Sequence, residues 1–111
     1  MAALRMPDGA VFSLSRDNPP LPGCTISRVL LASEDWEVCC FSLAKGTEIS
    51  AETFPADKLL LTASGCLEIC LPSGSVLLSP GCCVLIPAGH PAGMQAGTDT
   101  VYTEIVLGKG A

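Results

Sequence analysis

Few residues in this chain could bind a metal or move a proton: one histidine, His90, seven cysteines, eleven acidic side chains and six basic ones. The cysteines pose the first question. An odd count without a CxxC spacing points to free thiols and not to a disulfide framework. Cys39-Cys40 and Cys82-Cys83 are adjacent pairs, and neighbours on a strand point to opposite faces. Cys66 and Cys70 would share a face, but four residues of strand hold them about 13 Å apart, beyond disulfide reach and beyond a common metal ion. The cysteines are therefore expected as small buried hydrophobes, with a thiol site assembled across strands as the alternative. Glu68 and Glu104 each stand on an alternating stretch, marking a face that meets solvent or lines a polar cavity. Tyr102 shares the face of Glu104.

Short strands must position these groups. Runs rich in Val, Ile, Leu, Cys and Thr alternate with Gly, Pro, Ser and Asp, among them Asn18-Pro-Pro-Leu-Pro-Gly23, Pro72-Ser-Gly74 and Ser79-Pro-Gly81. No stretch predicts a helix longer than a turn or two. Strands are expected near 24–32, 36–43, 48–53, 58–63, 66–71, 75–78, 83–87, 91–96 and 100–107. Turns every eight to twelve residues or so are the pattern of a sandwich or barrel. In Cys66–Leu71, Leu67, Ile69 and Leu71 face one way; in Val101–Leu107, Tyr102, Glu104 and Val106 share a face. Leu59-Leu-Leu61 and Val84-Leu-Ile86 are apolar on both faces, which predicts central strands or strands covered by another subunit. Leu14 to Gly23, with three prolines, reads as an extended arm or loop.

Composition narrows the classes. A chain of 111 residues fits one domain and buries roughly 65% of its unfolded surface. Apolar residues form 49% of it and charged ones 15%, a composition that folds. The net charge is −5 and the basic residues are scattered singly, so no stripe exists to neutralise phosphates. Nucleic acid and anionic membrane surfaces are not expected partners. No apolar run approaches the roughly 18 residues of a membrane span, and the first residues show no apolar stretch of signal-peptide length. The expected address is the cytoplasm.

The stretch from Gly46 to Gly93 resembles the two signature motifs of the cupin superfamily. Gly46 is followed by five residues to Glu52, then Thr53-Phe54; three more lead to Lys58 and six more to Gly65. Gly81 is followed by five residues to Pro87-Ala-Gly89, then His90-Pro91-Ala92. The flanking Lys45-Gly-Thr-Glu-Ile-Ser50 and Val84-Leu-Ile-Pro-Ala88 are similar to small stand-alone bacterial cupins. The resemblance implies an all-β, single-domain jelly-roll barrel, a double-stranded β-helix. Residues 1–23 would be an N-terminal arm with a Pro-rich loop of the same domain, and 24–111 the barrel.

The chemistry departs from the family. Its metal-ligand positions fall on Glu52, Phe54, Lys58 and Ala92, where a site of three histidines and a glutamate would stand. A ring and a methyl cannot ligate, and an ammonium repels a cation, so no metal and no cofactor are expected. His90 lies two residues before Ala92, within the Ala88-to-Gly93 turn. Turned inward beside Glu52 it would make one histidine and one carboxylate, too few ligands for a tight site. An inward Lys58 could instead stand where the metal's charge would be, with Glu52 as partner; the alternative places both at the rim as solvated charges.

Glu52, Phe54, Lys58, His90, Tyr102 and Glu104 are the candidate lining of a small-ligand cavity. Three functions follow. The first is a binding module without metal for a small anionic or sugar-like ligand. The second is a cupin-type enzyme, either an isomerase or epimerase without metal or a metal enzyme with a site rebuilt from other residues. The third is a structural or regulatory homodimer with a filled barrel. A homodimer is expected in any case, with Leu59–Leu61 and Val29–Leu31 as the apolar contact.

Overall fold

The computed structural model describes residues 4–108, none of which is helical. Ten strands follow in order: β1 (Leu4–Arg5), β2 (Thr25–Ala32), β3 (Trp36–Leu43), β4 (Glu48–Glu52), β5 (Asp57–Ser64), β6 (Leu67–Leu71), β7 (Gly74–Leu78), β8 (Cys83–Ile86), β9 (Ala92–Ala96) and β10 (Thr100–Leu107). Nine of them lie within two residues of the expected strands, because β-branched and aliphatic alternation bounded by Gly and Pro is a local signal. The tenth, β1, falls inside the expected arm and pairs antiparallel with the end of β2, Leu4 opposite Ala32.

Two antiparallel sheets face each other. One has the order β1-β2-β3-β10-β5-β8 and the other β4-β9-β6-β7. β10 lies between β3 and β5, so the last strand completes the middle of the larger sheet. The inward positions pack as one core containing Leu43, Leu60, Leu67, Ile69, Leu78, Ile86, Met94 and Tyr102. Each large apolar side chain buried there contributes about 1.5–3 kcal/mol. Gly65 shows why a motif glycine stands at a corner. Its φ is 76°, and a Cβ there would run into the carbonyl oxygen of Asp99 and the side chain of Thr100. Only glycine fits such a site.

The segment before β2 is held against the outer face of the larger sheet. Asn18 is buried; its Nδ2 donates to Ser42 Oγ at 3.0 Å, and Ser42 Oγ donates back to the Asn18 carbonyl. Both groups are thereby satisfied out of water, as buried polar atoms require. Cys40 lies beneath the same segment, its thiol directed at the Leu14 carbonyl, and burial pushes that thiol above its ordinary pKa. Val29 and Leu30 line a groove of about 350 Å³ with Met6, Ala10, Val11 and Phe12. Val29 and Leu30 of the expected contact stretch therefore face the chain's own arm across that groove.

Two readings are corrected. The cysteines are thiols outside any disulfide, but only Cys39 and Cys40 are buried; Cys24, Cys82 and Cys83 are exposed at strand ends. β5 is an interior strand of its sheet, as its apolar faces suggested, whereas β8 is an edge strand. Its Leu85 is 53% exposed. No helix among the described residues is long and apolar enough to cross a membrane.

Candidate functional site

Alternation along β10 sends Tyr102, Glu104 and Val106 inward, opposite Thr62, Leu60 and Lys58 of β5. Opposed residues of an antiparallel pair share a face, so Lys58 also points into the space between the sheets. A cavity of about 210 Å³ opens there, lined by Phe41, Ile49, Glu52, Phe54, Lys58, Met94, Tyr102 and Glu104 together with Ser50 and Ala92. Five of the six expected lining residues are brought together. His90 is not among them: it is exposed in the turn between β8 and β9, where its backbone N–H donates to the Pro87 carbonyl at 3.2 Å.

The partner of Lys58 differs from the expected one. Its Nζ lies 3.3 Å from Glu104 Oε1, with the two side chains only 16% and 13% exposed. The same ammonium stands 5.1 Å from the centre of the Phe54 ring, within cation–π range. Glu52 is exposed at the end of β4, on the rim of the cavity. Pairing with Glu104 follows from register, since β5 and β10 are neighbours whereas Glu52 comes from the opposite sheet.

Glu52 reaches the cavity by a local irregularity. Ile49 of β4 pairs with Met94 of β9 and Glu52 with Ala92, so one extra residue sits in β4. Without it, Ile49 and Glu52, three positions apart, would face opposite ways. The extra residue packs on Gly93, where a Cβ would stand 3.1 Å from the Ala51 nitrogen and the Ile49 oxygen. Bulges re-aim side chains in this way. A glycine in the opposing strand is the one trace the bulge leaves in the sequence.

Phe41 completes the floor; its ring stacks on that of Tyr102, 5.1 Å between centres and 7° between planes. No local pattern in the sequence marks Phe41 for this role, because its place depends on β10 lying beside β3. Tyr102 is fully buried and its hydroxyl has no hydrogen-bond partner. Burial, reinforced by the negative charge of Glu104 and by Cys39, drives the phenol far above its usual pKa. It stays a neutral donor at any physiological pH.

The four positions aligned with the family's metal ligands carry a carboxylate (Glu52), a phenyl ring (Phe54), an ammonium (Lys58) and a buried methyl (Ala92). This donor set does not fit a transition ion, which takes three or four imidazole, thiolate or carboxylate ligands. Among the described residues no three His, Cys, Asp or Glu side chains converge elsewhere.

No protein-family model and no curated protein matches the chain. Solved structures do. A conserved Streptococcus pyogenes protein of unknown function (SPY1581) superposes with a TM-score of 0.88 at 24% identity, over 100% of this chain and 97% of the other. A cupin superfamily protein from Desulfitobacterium hafniense does so with a TM-score of 0.87 at 20% identity, over 96% and 98%. Salicylate 1,2-dioxygenase from Pseudaminobacter salicylatoxidans matches with a TM-score of 0.71 at 15% identity, over 78% of this chain and 27% of the enzyme. At such identities the likeness is one of fold, and a single fold hosts many functions. By its two facing sheets and these neighbours, the chain has the fold of a small single-domain cupin jelly roll.

Proposed function

We propose that this protein is a small-molecule-binding module whose barrel works without a transition metal. The observation that carries the reading is the Lys58–Glu104 pair, held mostly out of water on the wall of an otherwise largely apolar and aromatic cavity. Burying such a pair often stabilises a fold less than well-packed apolar residues would. Its presence on the wall of a cavity between the two sheets, with room for a small ligand, points to recognition. The cavity volume equals that of about seven waters at roughly 30 Å³ each, the size of a single-ring metabolite. An isomerase or epimerase would need an acid and a base poised near neutral pH. Here Glu104 is engaged by Lys58 and the Tyr102 phenol is held protonated, which favours binding over turnover.

Native mass spectrometry with elemental analysis of the purified protein tests this. A retained organic mass, lost in the Lys58→Met variant, supports the module. A stoichiometric transition metal would overturn it and make the enzyme reading the leading one.

We further propose a homodimer formed through the outer face of the larger sheet. Trp36, Leu85 and Leu107 are exposed there, on the same side as Val38, Leu59, Leu61 and Ile105 by strand alternation. These seven side chains are uncharged; Asp57, opposite Leu107 on the same face, is the charged neighbour at the end of the patch, where its carboxylate accepts the Ala88 N–H. Two like-charged copies can meet over a largely apolar patch related by a two-fold axis, and an exposed apolar sheet face needs cover.

A further inference from the structure

We propose that Glu104 makes the cavity select uncharged over anionic ligands; this deepens the binding-module reading and rests on it. A lone inward lysine would attract a carboxylate or phosphate, as the sequence suggested. The structure gives Lys58 other partners. Glu104 Oε1 takes one side of the ammonium at 3.3 Å, and the Phe54 ring faces it from 5.1 Å. The charged groups lining the cavity are this one ammonium and two carboxylates, Glu104 and Glu52. The wall is therefore net negative, and an entering anion meets a neutralised lysine and the field of two glutamates in a setting of reduced dielectric. A neutral molecule avoids that repulsion. Its carbonyl or hydroxyl oxygen accepts from the remaining N–H of Lys58, its own N–H or O–H donates to Glu104, and its ring or aliphatic body covers the apolar walls. The ligand class is thus a small uncharged amide, lactam, alcohol or polyol.

Isosteric probes separate charge from shape. Benzamide and benzoate differ little in outline and fit the volume. Their affinities are compared by amide chemical-shift titration of the ¹⁵N-labelled wild type, Glu104→Gln, and the Lys58→Met/Glu104→Gln double variant. The wild type is expected to bind benzamide at least about tenfold more tightly than benzoate. Glu104→Gln leaves Lys58 unpaired and is expected to tighten benzoate by about tenfold or more while moving benzamide by less than about threefold. The double variant, with neither charge, is expected to lose the gained benzoate affinity, and it serves as the folded control should Glu104→Gln unfold. A wild type that prefers benzoate, with cavity resonances shifting, would overturn the charge inference and leave the binding module standing. A folded Glu104→Gln with unchanged benzoate affinity would also overturn it. No shift of cavity resonances by either probe in any variant would overturn both.

Discussion

Tyr102 and Thr62 stand directly opposite each other on β10 and β5, and each hydroxyl is buried without a hydrogen-bond partner. Buried polar atoms are nearly always paired, so two such orphans on neighbouring strands mark a place where the interior is left less stable than it could be. Removing an unsatisfied hydroxyl while keeping the shape relieves its desolvation penalty of about 1–3 kcal/mol. Tyr102→Phe is expected to raise stability by about 1 kcal/mol, or roughly 4 °C in melting temperature. Thr62→Val should act in the same direction. Thermal and urea unfolding check this; a loss of more than about 1 kcal/mol in Tyr102→Phe would show that the phenol has a partner.

The Lys58–Glu104 pair should reveal itself by coupling. Breaking a mostly buried pair from one side strands the other charge. Lys58→Met and Glu104→Gln are each expected to destabilise by about 2–3 kcal/mol, and the double variant by less than their sum, with a coupling of about 1–3 kcal/mol. Glu52→Gln, at the exposed rim, should combine additively with Lys58→Met to within about 0.5 kcal/mol. Denaturation of the full cycle decides; strong coupling to Glu52 would restore the pairing expected from the motif.

Leu85 tests the dimer. A charge at this exposed edge-strand position leaves the core untouched but places two like charges across a two-fold interface. Leu85→Glu is expected to run as a monomer in sizing chromatography at micromolar concentration, with the wild type running as a dimer. A wild-type monomer would remove the proposal.

The arm carries a pH-sensitive turn. Asp17 Oδ2 accepts the Ser13 N–H at 2.7 Å. That bond, then Arg16, hold its carboxyl below the ordinary 3.8, outweighing the smaller opposing effect of burial. A depressed carboxyl stabilises fully above the unfolded pKa, and this contribution fades as pH falls through the lower folded value. The Ser13 amide proton shift is therefore expected to titrate with a midpoint below 3.8 and to lose that titration in Asp17→Asn. A midpoint at or above 3.8 would contradict the turn.

Much of this was legible in the sequence, for reasons particular residues make plain. Leu67, Glu68, Ile69 and Cys70 alternate, and alternation is a local property, so strand limits and inward faces could be read. Glu52, Phe54 and Lys58 were brought to one cavity by the spacing from Gly46 to Gly65. Glu104 was placed on the correct kind of face but not beside Lys58. That neighbourhood depends on which strands pair, and strand pairing is a long-range choice that no local pattern records. Phe41 escaped for the same reason. β1 was missed because a two-residue strand carries too little sequence to alternate. His90 stands out as the single histidine and by lying two residues before Ala92, but the turn at Pro87 keeps it outside.

The place of β10 bears on how the protein comes into being. Synthesis is vectorial, and the strand that fills the gap between β3 and β5 is the last of the ten to leave the ribosome. Until it arrives, those two strands each present an open edge ready to pair with a neighbouring nascent chain. Tyr102 and Glu104 travel on that same strand, so the ligand chamber cannot exist before the sheet is whole. Closure of the fold and birth of the site are one event, and a prematurely truncated product would have neither.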